Sequence, residues 1–357
     1  RGVSPHETSG ADVTPNPPLA RRSNTLSSSL GLGEKLFASS EERRFAAAIE
    51  AGLDRVEAGL VTDTAFADDI ADAAGRYLLE AGGKRIRPTL ALLTAQLGDG
   101  VNDEVIAAAE AVEITHLASL YHDDVMDDAE LRRGVPTAQN VWGNSVAILT
   151  GDLLFARASR IFAGLGERAL ELQAETFERL CLGQLHETIG PKPEDDPIEH
   201  YLQVLSDKTG SLIALAAYVG VVFSNAASEY REPVQRFGES IGVAFQLIDD
   251  VIDLSASTAE TGKTAGTDLR AGVPTLPLLY LRERAASEPD AAALLARIEQ
   301  DVDAAIPELR EHQVTRDTLT EAHRWAAIAV DALAPLPDGP VKKALTRFAE
   351  AIVERSH

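Results

Sequence analysis

The stretch YHDDVMDDAELRRG, residues 121–134, decides the fold, and AFQLIDDVIDLSA at residues 244–256 matches it. In both stretches carboxylates stand at positions i, i+1 and i+4, and the residues around them are of helix-favouring, apolar types. On a helix, positions i and i+4 lie on one face a turn apart, so the outer carboxylates point the same way. The sequence therefore predicts two helices that each carry a crowded acidic face.

Such closely packed carboxylates repel one another unless a cation lies among them. Mg²⁺ is the expected cation, because it prefers hard oxygen ligands and is usually held by one or two carboxylates together with substrate phosphate. Two acidic clusters of this kind indicate one polyphosphate that is bound from two sides.

The composition limits the classes of protein to which this chain can belong. Of the 357 residues, 45% are hydrophobic and only 5% are aromatic, which allows a sizeable core and favours helices. Residues 1–40 are rich in Ser, Thr and Pro, which predicts a disordered tail. Residues 41–357 predict a single all-α domain. Within it we expect a helix toward His122 that Asp103 or Asn102 caps, helices from about Val141 to Leu165 and from Glu167 to Ile189, and a mobile loop over residues 255–274. The net charge of −23 argues against nucleic acid as a partner, because phosphate backbones require basic surfaces.

Cysteine content and apolar runs bear on the compartment. Cys181 is the only cysteine, which excludes an internal disulfide and a cysteine-rich zinc site, and we expect it to be buried on a helix. The apolar run from Leu212 to Phe223 is too short to span a bilayer and predicts a buried core helix. We see no signal-peptide pattern and expect a cytoplasmic protein without a transmembrane segment.

Basic residues flank the first acidic cluster in the sequence. The turn GGKRIRP at residues 82–88 is predicted to open a helix whose first N–H groups favour an anion. Arg132 and Arg133 follow the first cluster, and guanidinium forks match phosphate oxygens. His116 is expected to donate a hydrogen bond to a phosphate. It belongs to a Glu-x-x-His pattern that di-iron bundles also use, but the only other copy, residues 354–357, lies where no core ligand is expected.

Two further segments accompany the second cluster. KTG at residues 208–210 precedes the apolar helix, and Gly210 is expected to interrupt the helix that carries it. GKTAGTDL at residues 262–269 lies in a Gly-rich and Thr-rich loop that is predicted to be mobile. A lysine on such a loop could close over a bound diphosphate and exclude water.

Together these motifs make residues 41–357 resemble the trans-isoprenyl diphosphate synthases, the polyprenyl synthetase family, in their bacterial long-chain form. GGKRIRP resembles the family's isopentenyl-diphosphate turn, DDVMD with the following RR its first aspartate-rich motif, and FQLIDDVID its second. KTG resembles the lysine segment of the family, and GKTAGTDL its closing loop. The resemblance implies a large antiparallel helical bundle, the isoprenoid synthase type I fold, around a deep central cavity, and a homodimer.

The resemblance also assigns the metal and the substrates. It implies three Mg²⁺ ions per active site, with Asp123, Asp127 and Asp249 as ligands and Asp124, Asp250 and Asp253 in support. Isopentenyl diphosphate would be held by Lys84, Arg87, His116 and Arg133. The allylic diphosphate would be bound by Arg132, Lys208 and Lys263, while Thr209 and Gln246 flank the reacting carbons. Val273 stands where family members often have a loop lysine, so the closing loop is expected to lack one cation.

The reaction implied by the resemblance begins with ionisation of the allylic C–O bond. The double bond of isopentenyl diphosphate then attacks the allylic cation, and loss of a proton completes one five-carbon addition. Metal and basic side chains favour ionisation because they stabilise the departing diphosphate. A closed apolar cavity protects the cation from water.

Product length is expected to depend on the helix before Asp123. Ser119 and Ala118 lie four and five residues upstream, and position i−4 lies beneath Asp123 on the same face. In this family bulky residues there close the cavity early. Small residues therefore suggest, by analogy with long-chain synthases, products of about six to ten isoprene units (C30–C50) for a quinone side chain. Leu117 and Tyr121 are expected to pack laterally.

Three alternatives to this interpretation stay open. A geranylgeranyl diphosphate synthase differs in product only. A class I terpene cyclase has the same all-α fold, but it needs no isopentenyl-diphosphate turn and usually lacks a second DDxxD cluster. A non-catalytic helical subunit, of the kind that pairs with some long-chain synthases, would not need the complete set of metal ligands.

Overall fold

The computed structural model describes residues 39–255 and 265–355, and nearly all of these residues lie in helices. The predicted tail lies outside the described residues except for Ser39, which caps the first helix, and Ser40, which begins it. The N-terminal helices are α1 (Ser40–Asp63), α2 (Asp69–Glu80), α3 (Ile86–Ala95) and α4 (Asp103–Met126). Of the two predicted caps, Asp103 and Asn102, it is Asn102 that caps α4, because its side chain accepts a hydrogen bond from the Val105 amide.

A short hairpin joins α4 to the next long helices. It consists of β1 (Leu131–Arg132) and β2 (Val135–Pro136), and it is followed by α5 (Ala138–Trp142), α6 (Asn144–Gly164) and α7 (Glu167–Ile189). The helix that the sequence predicted from Val141 to Leu165 is therefore divided at Gly143, whose φ of 89° ends α5. The helix predicted over residues 167–189 is confirmed.

One long helix crosses the middle of the bundle. It consists of α8 (Pro197–Leu205), a π-helical segment (Ser206–Gly210) and α9 (Ser211–Phe223). Gly210 was expected to interrupt this helix, but it does not. The backbone widens into the π-helical turn, and the helix continues. By length and composition, Pro197–Phe223 is the one described helix that could cross a membrane, but most of it is buried inside the bundle, as in a core helix.

The second aspartate cluster ends α10 (Arg231–Asp253), and six shorter helices complete the described chain. They are α11 (Thr267–Arg270), α12 (Leu276–Ala285), α13 (Pro289–Gln300), α14 (Val302–Glu311), α15 (Gln313–Ala332) and α16 (Pro340–Glu354). The predicted loop of residues 255–274 thus contains a one-turn helix, and its residues 256–264 lie outside the described chain.

Helix packing brings the sequence motifs to the same bundle. α4 packs most extensively on α6, α9 on α3 and α10, and α10 on α15. The contact between α3 and α9 depends on Gly220, because a Cβ atom there would lie 2.0 Å from Thr94 Oγ1 and 2.2 Å from the Ala91 carbonyl oxygen. A main core fills this bundle, and a smaller core lies among α11 to α14. The predicted all-α fold is confirmed.

Cys181 corrects one expectation from the sequence. It lies on a helix, α7, but its side chain is exposed. The prediction rested on the general preference of cysteine for interiors. The position of Cys181 on α7 stays accessible in the described chain, so the preference does not apply here.

Candidate active site

The first aspartate cluster ends α4, and its middle carboxylate serves the fold. Asp124 is 1% exposed, and Arg132 donates to its Oδ1 atom from Nε at 2.9 Å and from Nη2 at 2.6 Å. Gln139 donates to the Asp124 carbonyl oxygen at 2.8 Å. Arg132, which the sequence assigned to the allylic diphosphate, is therefore engaged with the cluster itself, and its role toward the diphosphate stays a prediction.

The hairpin after this cluster aims its two arginines in different directions. Arg133 and Gly134 have φ of 54° and 77°, as a two-residue hairpin turn of the primed type requires. A non-glycine residue in this region is strained and is found mostly at functional sites. Arg133 Nη1 donates to the Leu78 carbonyl oxygen at 2.6 Å, so this guanidinium turns toward α2 while Arg132 turns back to Asp124.

The outer carboxylates of the first cluster are held in an environment that disfavours their charge. Burial raises the pKa of Asp123 to about 6; Lys208 opposes this shift, while Asp127 and Glu187 add to it. Burial also raises the pKa of Asp127. Lys208 Nζ donates to Glu187 Oε2 at 2.6 Å. α7 and the π-helical segment therefore bring a further carboxylate and a cation to this cluster. Sequence reasoning missed Glu187, because no motif marks it.

The second cluster ends α10, and its middle carboxylate is also buried. Asp250 is 5% exposed; it accepts a hydrogen bond from the Tyr201 hydroxyl at 2.5 Å and from the Leu276 amide at 3.4 Å. Burial raises the pKa of Asp250 well above its ordinary value. Asp253 Oδ2 accepts from the Asp268 amide at 3.2 Å. The predicted support residues of this cluster thus hold α8 and the chain after the second cluster against α10.

The C-terminal helix contributes a cation to the second cluster. Arg355 Nη2 lies 3.1 Å from Asp249 Oδ1, and its guanidinium carbon lies 4.6 Å from the centroid of the Phe245 ring. Lys84 Nζ lies 5.7 Å from the same ring. Burial and then the charge of Arg355 lower the pKa of Lys84, while Asp249 raises it. Sequence reasoning missed Arg355, because nothing local connects it to an aspartate 106 positions earlier.

The basic turn lies beside the hairpin. A Cβ atom on Gly83 would lie 2.4 Å from Arg85 Nη1 and 2.9 Å from Arg133 Nη2, so glycine there allows both guanidiniums to approach the turn. Arg85 itself has a φ of 52°. It forms ion pairs with Glu57 and, at 3.7 Å, with Glu113, which makes it a structural member of the turn.

Arg87 and His116, two predicted ligands of isopentenyl diphosphate, both have a pKa that their surroundings lower. Burial lowers the pKa of Arg87, and the Arg87 Nε atom is buried with no hydrogen-bond partner among the described residues. Burial, followed by the charges of Arg87 and Arg133, lowers the pKa of His116 well below its ordinary value. His116 is therefore neutral at pH 7 and has one ring N–H to donate. Burial also lowers the pKa of Arg133 to about 10.

The remaining predicted residues flank the π-helical segment. Lys208 and Thr209 lie on that segment, and Gln246 lies one turn after Gly242 on α10. A Cβ atom on Gly242 would lie 2.6 Å from Gly210 Cα, so α10 and the π-helical segment are in direct backbone contact. This contact places the helix that carries Gln246 directly against the segment that carries Lys208 and Thr209. Lys263 lies outside the described residues.

The acidic residues fit a metal that arrives together with its substrate. In residues 39–255 and 265–355, no three His, Cys, Asp or Glu side chains form a closed metal site. The outer carboxylates nevertheless offer hard oxygen donors, and Asp124 Oδ2 is buried without a partner among the described residues. Mg²⁺ needs only one or two carboxylates when substrate phosphates complete its shell.

An all-helical bundle with two aspartate-rich helix ends and a basic turn defines the class of prenyltransferases that act on diphosphates. The profile of the family described as Polyprenyl synthetase matches residues 68–311. The chain belongs to the polyprenyl synthetase family, and it is a polyprenyl diphosphate synthase. Membership implies prenyl diphosphate substrates and catalysis that depends on a divalent metal.

Relatives span nearly the whole length of the chain. The nonaprenyl diphosphate synthase of Mycobacterium tuberculosis is 44% identical over 319 residues, which are 87% of this chain and 94% of that protein. The crystal structure of a polyprenyl synthase from Caulobacter crescentus CB15, complexed with calcium and isoprenyl diphosphate, has a TM-score of 0.79 and 33% identity, and covers 88% of this chain and 98% of that one. A geranylgeranyl pyrophosphate synthase from Corynebacterium glutamicum, complexed with the same ligands, has a TM-score of 0.76 and 40% identity, over 88% and 98% of the chains.

Proposed function

We propose that this enzyme uses Mg²⁺ to add isopentenyl diphosphate repeatedly to an allylic diphosphate and releases an all-trans product of about C30–C50, by analogy with long-chain synthases. The observation that carries the proposal is the pair of Lys208 and Glu187, joined at 2.6 Å, whose charges act on residues at both acidic clusters. Lys208 and Glu187 act electrostatically on Asp123 and Asp127, and Glu187 also acts on Tyr201, the partner of Asp250. One diphosphate between the clusters would contact both.

The outer carboxylates are the proposed metal ligands. Asp123 and Asp127 from α4 and Asp249 from α10 would hold Mg²⁺, and three ions is the number that the family resemblance implies. Asp124, Asp250 and Asp253 would support them through the hydrogen bonds described above. Bound Mg²⁺ would supply positive charge that stabilises the leaving diphosphate.

The protein's own cations would complete the neutralisation of that diphosphate. Lys208 lies near the first cluster already, while Arg132 and Lys263 are proposed to contribute once the substrate is present. Each fixed cation favours ionisation of the allylic C–O bond, because the charge of the leaving group grows in the transition state. Thr209 and Gln246 would flank the reacting carbons and orient the double bond.

The second substrate would bind at the basic turn. Lys84, Arg87, His116 and Arg133 are the proposed ligands of its diphosphate, and the unsatisfied Arg87 Nε would provide a donor for a phosphate oxygen. The neutral His116 would donate its single N–H without adding charge. The allylic cation is attacked by the double bond of isopentenyl diphosphate, and the proton lost afterwards would pass to the released diphosphate.

Product length is proposed to be set beside α4. Ala118 and Ser119 are 1% and 7% exposed, and His122, one turn later, packs against Gly151 of α6. The nonaprenyl diphosphate synthase relative supports a long product over the geranylgeranyl alternative, since it has the higher identity over almost its full length.

The test is incubation of the protein with Mg²⁺, isopentenyl diphosphate and allylic primers of three lengths, followed by mass analysis of the products. We expect elongation to long chains. Failure to elongate every primer would contradict the proposed reaction, and arrest at four isoprene units would establish the geranylgeranyl alternative.

Ala118→Phe tests the position of the growing chain. The larger side chain is expected to shorten the main product, whereas Ser119→Ala, which leaves the position small, should keep the native product. Circular dichroism would verify that both variants are folded. An unchanged product distribution in Ala118→Phe would show that the chain does not pass this residue.

We also propose that the enzyme is a cytoplasmic homodimer. Large apolar side chains are exposed on two neighbouring helices: Ile148, Leu149 and Leu153 on α6, and Leu182, Leu185 and Ile189 on α7, the last of them 72% exposed. Contiguous exposed apolar surface of this kind marks protein interfaces. Light scattering should give the mass of two chains for the native protein and of one chain for Leu149→Glu; a monomeric native protein would contradict the proposal.

A further inference from the structure

The π-helical segment, Ser206–Gly210, is the feature from which we infer a further role. It lies within an otherwise regular helix and carries Lys208 and Thr209. π-helical turns are rare and frequently occur at functional sites. The widened turn changes the direction in which these two side chains leave the helix. The protein therefore needs contacts that keep the turn in one position.

One guanidinium supplies most of these contacts. Arg179 lies on α7 and donates from Nε to Asp207 Oδ1 at 2.6 Å and from Nη2 to Ser206 Oγ at 3.0 Å. It also forms a bidentate pair with Glu239 on α10, from Nη1 at 3.0 Å and from Nη2 at 2.7 Å. A planar fork of this kind fixes the relative position of its partners as well as attracting them.

The partners of Arg179 are themselves connected. Ser206 Oγ donates to Glu239 Oε1 at 2.7 Å, Gln203 Nε2 donates to Asp207 Oδ1 at 3.1 Å, and Ser211 Oγ donates to the Asp207 carbonyl oxygen at 2.5 Å. The hydrogen bonds to Glu239 raise the pKa of Arg179 above its ordinary value, so its charge is permanent. The network therefore joins α7, α8 and α10 through a single cation.

Backbone contacts around the segment leave it little room to move. A Cβ atom on Gly183 of α7 would lie 2.8 Å from Asp207 Cβ and 3.1 Å from Lys208 Cγ. On the other side, a Cβ atom on Gly210 would lie 2.8 Å from the Glu239 carbonyl oxygen. The segment is thus enclosed between α7 and α10, and the direction of Lys208 depends on how these two helices are held together.

We propose that Arg179 is a positioning residue, which joins Asp207 to Glu239 and thereby sets where Lys208 and Thr209 meet the leaving diphosphate. This role rests on the proposed function of Lys208. Arg179 acts through its neighbours and does not itself touch substrate. Its removal would leave the carboxylates of Asp207 and Glu239 close together without their shared cation, and the π-helical segment would shift.

The first experiment measures steady-state elongation by Arg179→Gln with both substrates varied. We expect kcat to fall by about 100-fold, as for a misplacement of about 1 Å at a catalytic group, and KM for the allylic diphosphate to rise. KM for isopentenyl diphosphate should stay within about 3-fold, because the basic turn is on a different part of the bundle. Arg179→Lys keeps the charge but not the fork, and should recover part of the loss.

The matched control is Arg168→Gln on the same helix. Arg168 pairs with Glu171 and Glu175 at the surface, and its side chain is 61% exposed. Its kinetics should equal those of the native enzyme. If Arg179→Gln had native kinetics too, or raised both KM values equally with no change in kcat, the positioning role would be wrong.

A double-mutant cycle with Lys208→Ala shows whether Arg179 acts through Lys208. If it does, the double variant should lose no more of kcat/KM than Lys208→Ala alone. Losses that multiply would overturn the proposal. Native activity of Lys208→Ala would instead contradict the proposed function of Lys208, so the two failures are distinguishable.

A further variant keeps the test decisive if Arg179→Gln does not fold by circular dichroism. Glu239→Gln retains the size of the side chain and removes one charged partner of the guanidinium. It should show the same selective rise in KM for the allylic diphosphate, to a smaller extent. A folded Glu239→Gln enzyme with native kinetic constants would count against the proposal.

Discussion

The two aspartate clusters have the same spacing but are held in different ways. In the first, the middle carboxylate is bound by Arg132, which lies only eight residues further along the chain. In the second, Tyr201 binds the middle carboxylate from 49 residues away, and Arg355 reaches the outer carboxylate from 106 residues away. The first cluster is thus built by a helix and the hairpin that follows it, whereas the second depends on the assembled bundle.

This difference separates two roles within one motif. The buried middle residues, Asp124 and Asp250, fix the helix ends, while the outer carboxylates are the proposed ligands of the metal. A local partner can fix the first cluster as soon as α4 and the hairpin have formed. The second cluster acquires its geometry only when α8, α12 and α16 have packed against α10.

The largest effect should come from removing an outer carboxylate. Asp123→Ala and Asp249→Ala should each lower turnover by about 10³-fold or more with the fold intact, because each removes a proposed ligand of the metal that would stabilise the leaving group. Elongation of a radiolabelled substrate measures this loss. Asp128→Asn, at an exposed position next to the first cluster, is the control and should be active. Normal activity in either alanine variant would break the two-cluster interpretation.

The next largest effect concerns the local partner of the first cluster. Arg132→Gln should lower the free energy of unfolding by about 3 kcal/mol, because breaking a buried ion pair leaves one charge uncompensated. Urea denaturation measures this change. Arg297→Gln removes an exposed pair with Glu308 and should cost less than about 1 kcal/mol. A stability of Arg132→Gln equal to that of this control would show that Asp124 does not need its partner.

The long-range partner of the second cluster should matter less. Tyr201→Phe removes the hydroxyl that donates to Asp250 and should lower the free energy of unfolding by about 1–3 kcal/mol, the cost of leaving a buried acceptor with one bond fewer. Asp250 retains the Leu276 amide, which limits the loss. If Tyr201→Phe lowered the free energy of unfolding more than Arg132→Gln does, the second cluster would depend on its partner more strongly than the first.

The smallest effect should come from the cation at the C-terminal helix. Arg355→Ala removes a positive charge that competes with metal at Asp249, so the Mg²⁺ concentration for half-maximal activity should fall by about two- to five-fold, the range of a partly exposed ion pair. Lys342 lies on the same helix and pairs with Asp338, which precedes that helix. Lys342→Ala should leave the required Mg²⁺ concentration unchanged. An unaltered or higher Mg²⁺ requirement in Arg355→Ala would contradict this competition.

Much of the fold and of the candidate site could be predicted from short-range patterns. The spacing of the carboxylates placed both clusters on helices, Asp103 and Asn102 were the two candidates for the cap of α4, and residues 167–189 formed the helix that was predicted. These features depend on neighbours within a turn or two. The exposure of Cys181 and the π-helical turn were not predicted, because both depend on which helix faces which.

The sequence by itself determined the all-α fold, the two acidic clusters and the basic turn, since helix periodicity and residue chemistry are local properties. Only the tertiary structure decided which carboxylates are buried and that Arg132 turns to Asp124. It also decided that Glu187 and Arg355 approach the clusters and that Arg179 joins Asp207 to Glu239. Such contacts join residues far apart in the chain, and their formation depends on the packing of whole helices. No local pattern carries that information.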